Sequence, residues 1–456
     1  MKKLLSFITL SLAALCVAQA QQLPAESAGQ LALSLDEAIE IALSDNPTIE
    51  VANLEIERYD YVRKQALASL YPQVDVSGQY SLALVRQEMA KGLSFGGKNS
   101  ITAAGSLSLP LFVPSVYRQL KMTRTQMESA VESARANRID LVAAVRSAYY
   151  NVLLAEQSLE VLREAVMTTQ RVVDNTRNMY EHGLAAEYDY ITAQVQLSNL
   201  KPQVLQAESA IEITKLQLKM YLSIPEDVEV EVKGSLDNFR NEVLLGEDYS
   251  MDISENTTLR ALDIQRELLE HQEKLIQTTR MPTIAAFGQV SYIVQETSNS
   301  LAGMLGGGAA GTTANQSKFW SQWPISIGAQ ISIPIFAGFK KVNQLREVRN
   351  QMRQLDIQRD YAEYGVRVQV EQAINTLLTA RETMLSNELT VQQAEKAYNI
   401  SLTRYNAGAG TILELNTSQL SLTQAQLSYS QSIYDYLSAY AQYEKALGVE
   451  RYNVAE

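Results

Sequence analysis

The sequence repeats itself at the scale of half the chain. Asn46 to Pro72 aligns without a gap on Asn256 to Pro282, an offset of 210 residues. Leu109-Pro-Leu-Phe112 returns as Ile333-Pro-Ile-Phe336 at an offset of 224, and Met179-Tyr-Glu-His-Gly183 returns as Arg404-Tyr-Asn-Ala-Gly408 at 225. The offset jumps by 14 within the glycine-rich stretch Gly303 to Gly311, so the second copy carries the longer loop. Units this long are not solenoid repeats, and the chain is a domain-scale duplication. Any fold it adopts must be built twice.

Each copy holds two runs of strict alternation. In the first copy Val74, Val76, Tyr80 and Leu82 share one face while Asp75, Ser77 and Gln79 share the other; Ile101, Ala103, Gly105 and Leu107 then oppose Thr102, Ser106 and Ser108. The second copy repeats this with Ile284 to Val294 and Trp323 to Ile333. Period two over about ten residues, apolar on one side only, is the length and pattern of a transmembrane β-strand. A soluble sandwich would need an opposing sheet, and the rest of the chain reads as helix. Four strands cannot close a barrel, since about eight is the smallest bacterial case. An open sheet would leave bare edges in lipid, where every backbone group must be paired. Several chains must therefore share one barrel: two would give eight strands and three would give twelve.

The helices carry a different period. From Leu141 through Val145, Ala148 and Val152 to Thr176 and Tyr180 the apolar or small positions advance by alternating steps of four and three. The same track runs from Val366 through Val370 and Leu377 to Ser401 and Tyr405. More than five heptads in register, twice, is a coiled-coil signature. A helix of some 65 residues reaches on the order of 100 Å, more than a globular core needs. Gly183 and Gly408 read as C-terminal caps. The return helices open with Glu187 and Asp189, and with Glu414, where a carboxylate favours the positive helix end.

The chain begins with Met-Lys-Lys, an apolar stretch from Leu4 to Val17 and Ala18-Gln-Ala20, the pattern of a secretory signal peptide over residues 1–20. Lipidation at Cys16 is disfavoured by the bulky Leu15 before it. No later segment reaches 18 consecutive apolar residues, so a membrane would be met with strands. The formal charge is −12, with 51 acidic and 39 basic residues, which supplies no footprint for nucleic acid. One cysteine and two histidines leave no disulfide framework, no cysteine–histidine zinc site and no expected metal or cofactor. Gly92 to Asn99 approaches a phosphate-binding loop but links two strands and lacks the hydroxyl residue at its end. His182 and His271 stand alone, and Glu37, Glu40, Asp45 and Glu50 read as a solvated helix face. No catalytic set can be assembled, so an enzyme is not expected. Phe319, Trp320 and Trp323 suit an interfacial aromatic belt.

Signal peptide, duplicated helix–strand–strand–helix halves, strand-to-helix prolines at Pro110 and Pro334, and Tyr-x-x-Gly tips together resemble the TolC family of outer-membrane efflux proteins, from about Leu35 to Val449. The resemblance implies a first repeat over 21–239, with strands near 73–85 and 100–112 and long helices near 114–181 and 186–222. It implies a second over 240–456, with strands near 283–295 and 322–334 and helices near 338–405 and 411–447. The implied fold class is mainly α with membrane β: a duplicated coiled-coil α-hairpin tunnel, with four strands per chain in a shared twelve-stranded trimeric barrel. The implied function is a passive exit duct in the outer membrane of a Gram-negative bacterium with a large periplasmic portion. Its implied partners are two further copies, a periplasmic adaptor and an inner-membrane pump of RND or ABC type. Type I protein secretion is the alternative within this class; an exported adhesive coiled coil is the alternative outside it. At the hairpin tips (Gly183, Gly408 and Gly410) the family pattern places a constriction. Its first acidic ring falls on Glu414 and its second on Thr417, with Asp189 as an acidic partner. The family's basic residue two positions after the second-repeat glycine is here Gly410. Tyr180 and Tyr405, on the heptad track, are candidates for both seam packing and gating.

Overall fold

The computed structural model describes residues 31–84, 87–90, 93–95, 99–244, 249–297 and 318–449. Residues 1–20 with Cys16, the glycine-rich stretch 303–311, and residues 92 and 96–98 of the 92–99 loop lie outside the described residues. In chain order the elements are β1 (Leu31–Leu33), α1 (Leu35–Asp45), α2 (Pro47–Ala68), β2 (Gln73–Leu82), β3 (Gln87–Ala90), β4 (Leu93–Phe95), β5 (Asn99–Phe112), α3 (Pro114–Glu181) and α4 (Glu187–Leu222). There follow β6 (Val230–Val232), α5 (Leu236–Leu244), α6 (Thr257–Thr278), β7 (Thr283–Thr297), β8 (Lys318–Gln322), β9 (Ile325–Ser332), α7 (Lys340–Asn406) and α8 (Ile412–Leu447). The fold is mainly helical with a minority of strands. Among the described residues no helix is long and apolar enough to cross a membrane.

Duplicate sequence makes duplicate structure. Asn46 caps α2 by accepting from the Thr48 amide at 2.8 Å, and Asn256 caps α6 by accepting from Thr258 at 3.0 Å. Each side chain satisfies an amide that the helix itself cannot. Both capped helices have 22 residues, and α4 and α8 both have 36. The heptad seam is buried in both long helices: Val145, Val152, Thr169 and Thr176 in α3, and Val370, Leu377 and Met384 in α7.

The chain divides into two compact units. One comprises residues up to 42, 145–240 and 389–434. It holds β1 paired parallel with β6, with Leu31 opposite Val230. The fully buried Tyr149 hydroxyl meets the Leu33 carbonyl at 3.0 Å and the Lys233 carbonyl at 2.5 Å, and Phe239 packs edge-on against its ring. The same unit contains both hairpin tips.

The other unit comprises 43–144, 241–388 and 435 onward, and holds the membrane-type strands. Its sheet is antiparallel in the order β2, β5, β7, with both β8 and β9 on β7. The register sorts the side chains by chemistry. Val74 lies opposite Leu107, Leu107 opposite Gly288, and Gly288 opposite Ile327. One residue along, Asp75, Ser106, Gln289 and Ser326 form a polar row. The apolar alternation of four separate segments thus falls on a single face. The expected fourth strand, 322–334, is interrupted. Pro324 has no amide to give the ladder, so the run divides into β8 and β9 around Trp323-Pro324, and the Pro324 carbonyl accepts instead from the Ser291 amide at 3.0 Å. Trp323 packs on Tyr292 with ring centroids 4.6 Å apart. The side chains of Phe319 and Trp320 lie outside the described ones.

Candidate functional site at the helix-hairpin tips

Four helices converge at the tips. Val172 and Val173 of α3, Ala193 and Leu197 of α4, Tyr398 and Tyr405 of α7, and Ile412 and Leu415 of α8 form one buried cluster. Both turns close in the same way. Gly183 (φ 74°) and Gly408 (φ 69°) take the left-handed conformation that any side chain would oppose. The Gly183 amide donates to Tyr180 O and the Leu184 amide to Met179 O; Gly408 donates to Tyr405 O and Ala409 to Arg404 O. This paired bonding is a Schellman cap, and it satisfies carbonyls that the helix end would otherwise strand.

The two duplicate tyrosines part company. Tyr405 is buried, and its hydroxyl lies 3.0 Å from Thr176 Oγ1. Thr176 donates its own proton to the Val172 carbonyl at 2.8 Å, so Tyr405 is the donor to Thr176. Burial raises the Tyr405 pKa, and the charge of Asp189 adds to the effect. Tyr180 is exposed and stacks flat on Tyr190 with centroids 6.1 Å apart. Tyr405 is therefore a seam residue, whereas Tyr180 belongs to the surface of the tip.

Glu414 sits in the first turn of α8, exposed, with its amide donating to Thr411 Oγ1 at 3.2 Å. Its carboxylate lies 3.7 Å from Arg404 Nη1, and Arg404 also donates to the Ala409 carbonyl at 3.2 Å. Arg404 was not singled out from sequence. Its signal is its place four residues before Gly408, where the reversal of the chain brings α8 back beside it. Gly410 is a packing residue: a Cβ there would lie 3.1 Å from Tyr405 N and 3.2 Å from Arg404 Cβ. Thr417 is exposed, its hydroxyl donating to the Leu413 carbonyl of its own helix at 2.8 Å. Asp189 is half-buried in the first turn of α4 and makes no ion pair among the described residues. His182 is exposed, its Nδ1 2.8 Å from the Asn178 carbonyl.

A second contact missed by the sequence reading lies just behind. The buried Gln419 donates to Thr169 Oγ1 at 2.6 Å and to the Ala165 carbonyl at 3.2 Å. Gln419 lies one turn from the buried Leu415 and Thr423 on α8, and a polar side chain at that apolar-face spacing was the signal for it.

A profile of the outer membrane efflux protein family matches residues 38–223 and 249–449, both copies of the repeat. The chain belongs to the outer membrane efflux protein family. Like the rest of this family it is a channel protein of the Gram-negative outer membrane with a large periplasmic portion. It is 21% identical over 426 residues to the alkaline protease secretion protein AprF of Pseudomonas aeruginosa, covering 92% of this chain and 85% of that one. It is 25% identical over 434 residues to the probable efflux pump outer membrane protein TtgC of Pseudomonas putida, covering 91% and 83%. Its fold matches the outer membrane protein VceC of Vibrio cholerae with a TM-score of 0.68 at 16% identity, over 91% of this chain and 96% of that one. An outer membrane efflux protein with these tips offers a surface of carboxylates, the guanidiniums of Arg177 and Arg404, and capped turns.

Proposed function

We propose that three copies of the chain form the exit duct of a tripartite efflux or secretion system. The duct receives substrate from an inner-membrane pump through a periplasmic adaptor and conducts it passively outward, without chemistry of its own. The observation that carries this reading is the sheet: one apolar face runs unbroken across it, and both outer edges are unpaired among the described residues. Such edges need partners in lipid, and other copies of the same sheet supply them. In this reading the narrowest point lies at the tips. Glu414 is repeated there in a ring, with Asp189, Thr417 and Tyr180 on the same surface and Tyr405 holding the helices together behind it. Like carboxylates held close attract cations, and Arg404 offsets part of that charge. The likeness to AprF keeps protein secretion beside small-molecule efflux, since the pump selects the cargo.

Conductance of the purified protein in planar bilayers tests both parts. A closed, cation-preferring pore is expected, less cation-preferring in Glu414→Gln and more so in Arg404→Gln. A protein that forms no pore removes the duct reading. A pore whose preference ignores both substitutions moves the constriction away from Glu414.

A further inference from the structure

The chain is acidic overall, but its acids vanish where strands meet helices. Residues 61–74, 110–127, 274–282 and 332–346 contain no Asp or Glu, and they hold ten Lys or Arg. The strand register gathers these segments at one end of the sheet: Gln73 lies opposite Ser108, Phe112 opposite Ile284, and Thr283 opposite Ser332. Lys341 donates to the Thr279 carbonyl, which ties two of the junctions together. Arg63, Lys64, Arg124 and Lys274 have acidic partners one helical turn away. Arg118, Lys121, Arg280 and Lys340 make no ion pair among the described residues.

Exposed rings and an aliphatic side chain stand among these cations. Tyr71, Tyr117, Ile335, Phe336 and Phe339 are all more than half exposed, Ile335 at 94%. Phe336 and Phe339 meet edge to face at 5.5 Å. Gly338 and Phe339 both take left-handed backbone, φ 56° and 61°. That conformation is unfavourable for a phenylalanine, yet here it holds an aromatic pair outward. Rings with an apolar body, next to long cationic side chains, suit the boundary between acyl chains and headgroups.

We propose that this junction is a binding belt for anionic phospholipids of the periplasmic leaflet. The rings seat at the edge of the acyl layer, continuous with the apolar face of the sheet, and the four unpaired cations meet the lipid phosphates. The charge argument selects the headgroup: a zwitterionic lipid brings its own cation and would be favoured far less by Arg118, Lys121, Arg280 and Lys340, which carry net positive charge without an ion pair among the described residues. The proposal rests on the barrel reading above.

The test uses the full chain assembled in nanodiscs of phosphatidylcholine, with phosphatidylglycerol or with lipopolysaccharide added. Melting of the oligomer and the lipids retained in native mass spectrometry are read together. Phosphatidylglycerol is expected to raise the melting temperature, high salt to cancel the rise, and R118Q/R280Q/K340Q to lose it, while R118K/R280K keeps it. Equal melting in both phospholipids overturns the proposal even if the glutamine variant does not fold. So does an equal rise from lipopolysaccharide alone, or from inorganic phosphate without lipid. Absence of any oligomer in every bilayer would remove the barrel reading and this belt with it.

Discussion

The Tyr149 hydroxyl has one proton and faces two carbonyls, on Leu33 and Lys233, at the ends of strands remote in sequence. Burial pushes its pKa up to about 12, from an ordinary value of 10.0. Between those values the folded protein holds this proton and the unfolded chain releases it. The contribution is thus intact below pH 10 and is lost as pH rises toward 12. Tyr149→Phe leaves both carbonyls without that donor and is expected to cost about 1–3 kcal/mol at neutral pH. It should also flatten the alkaline fall in melting temperature, which thermal scans at neutral and alkaline pH would read. Gly410 presents the opposite case, a residue whose value lies in what it lacks. A Cβ there presses on the backbone of Arg404 and Tyr405. Gly410→Ala is therefore expected to destabilise the tip by about 1–3 kcal/mol. Hydrogen exchange would then be faster at residues 404–415 and unchanged at the matching first-repeat turn.

At the scale of elements, the two copies show which features follow from local chemistry. Asparagine caps, glycine turns and the buried heptad seam recur because each depends on a few neighbouring residues. The strands recur as well, and their register converts alternation into two chemically distinct faces. Ile327 is 87% exposed in the single chain, in the row with Val74, Leu107 and Gly288. Ser326 lies in the polar row. An aspartate on the lipid face costs up to about 2 kcal/mol near the membrane centre, while a wet lumen accepts it. Ile327→Asp should therefore lower the yield of assembled outer-membrane protein severalfold and Ser326→Asp should leave it near wild type. Equal yields would invert the face assignment.

At the scale of the whole molecule, parity matters. β2, β5, β7 and β9 run alternately up and down, each antiparallel to the next. An even number of alternating strands lets the last edge of one copy meet the first edge of another in antiparallel fashion, as bacterial barrels require. Single cysteines along β2 are therefore expected to cross-link to single cysteines along β9 of another copy. The native chain offers no competing thiol beyond Cys16. Denaturing gels should show monomer, dimer and trimer and nothing larger. A ladder that ends at dimer, or β2 cross-linking to β2, would require a different closure.

Much of this architecture was legible because its signals are periodic. A heptad seam and a two-residue alternation state which side is apolar, and the internal repeat states each of them twice. Glycine at 183 and 408 marked the turns because only glycine takes that backbone without strain. What the sequence left open depends on which segments meet. β1 and β6 have three residues each, too few for any period, and only the fold pairs them. Tyr180 and Tyr405 occupy equivalent places on the track, yet Thr176 receives one and Tyr190 the other. Gly410 reads as a lost basic residue until the reversed chain shows Arg404 filling the neighbourhood and reaching Glu414. Periodic burial is written along the chain; contacts across a chain reversal are set by the packing of helices that the sequence alone does not place side by side.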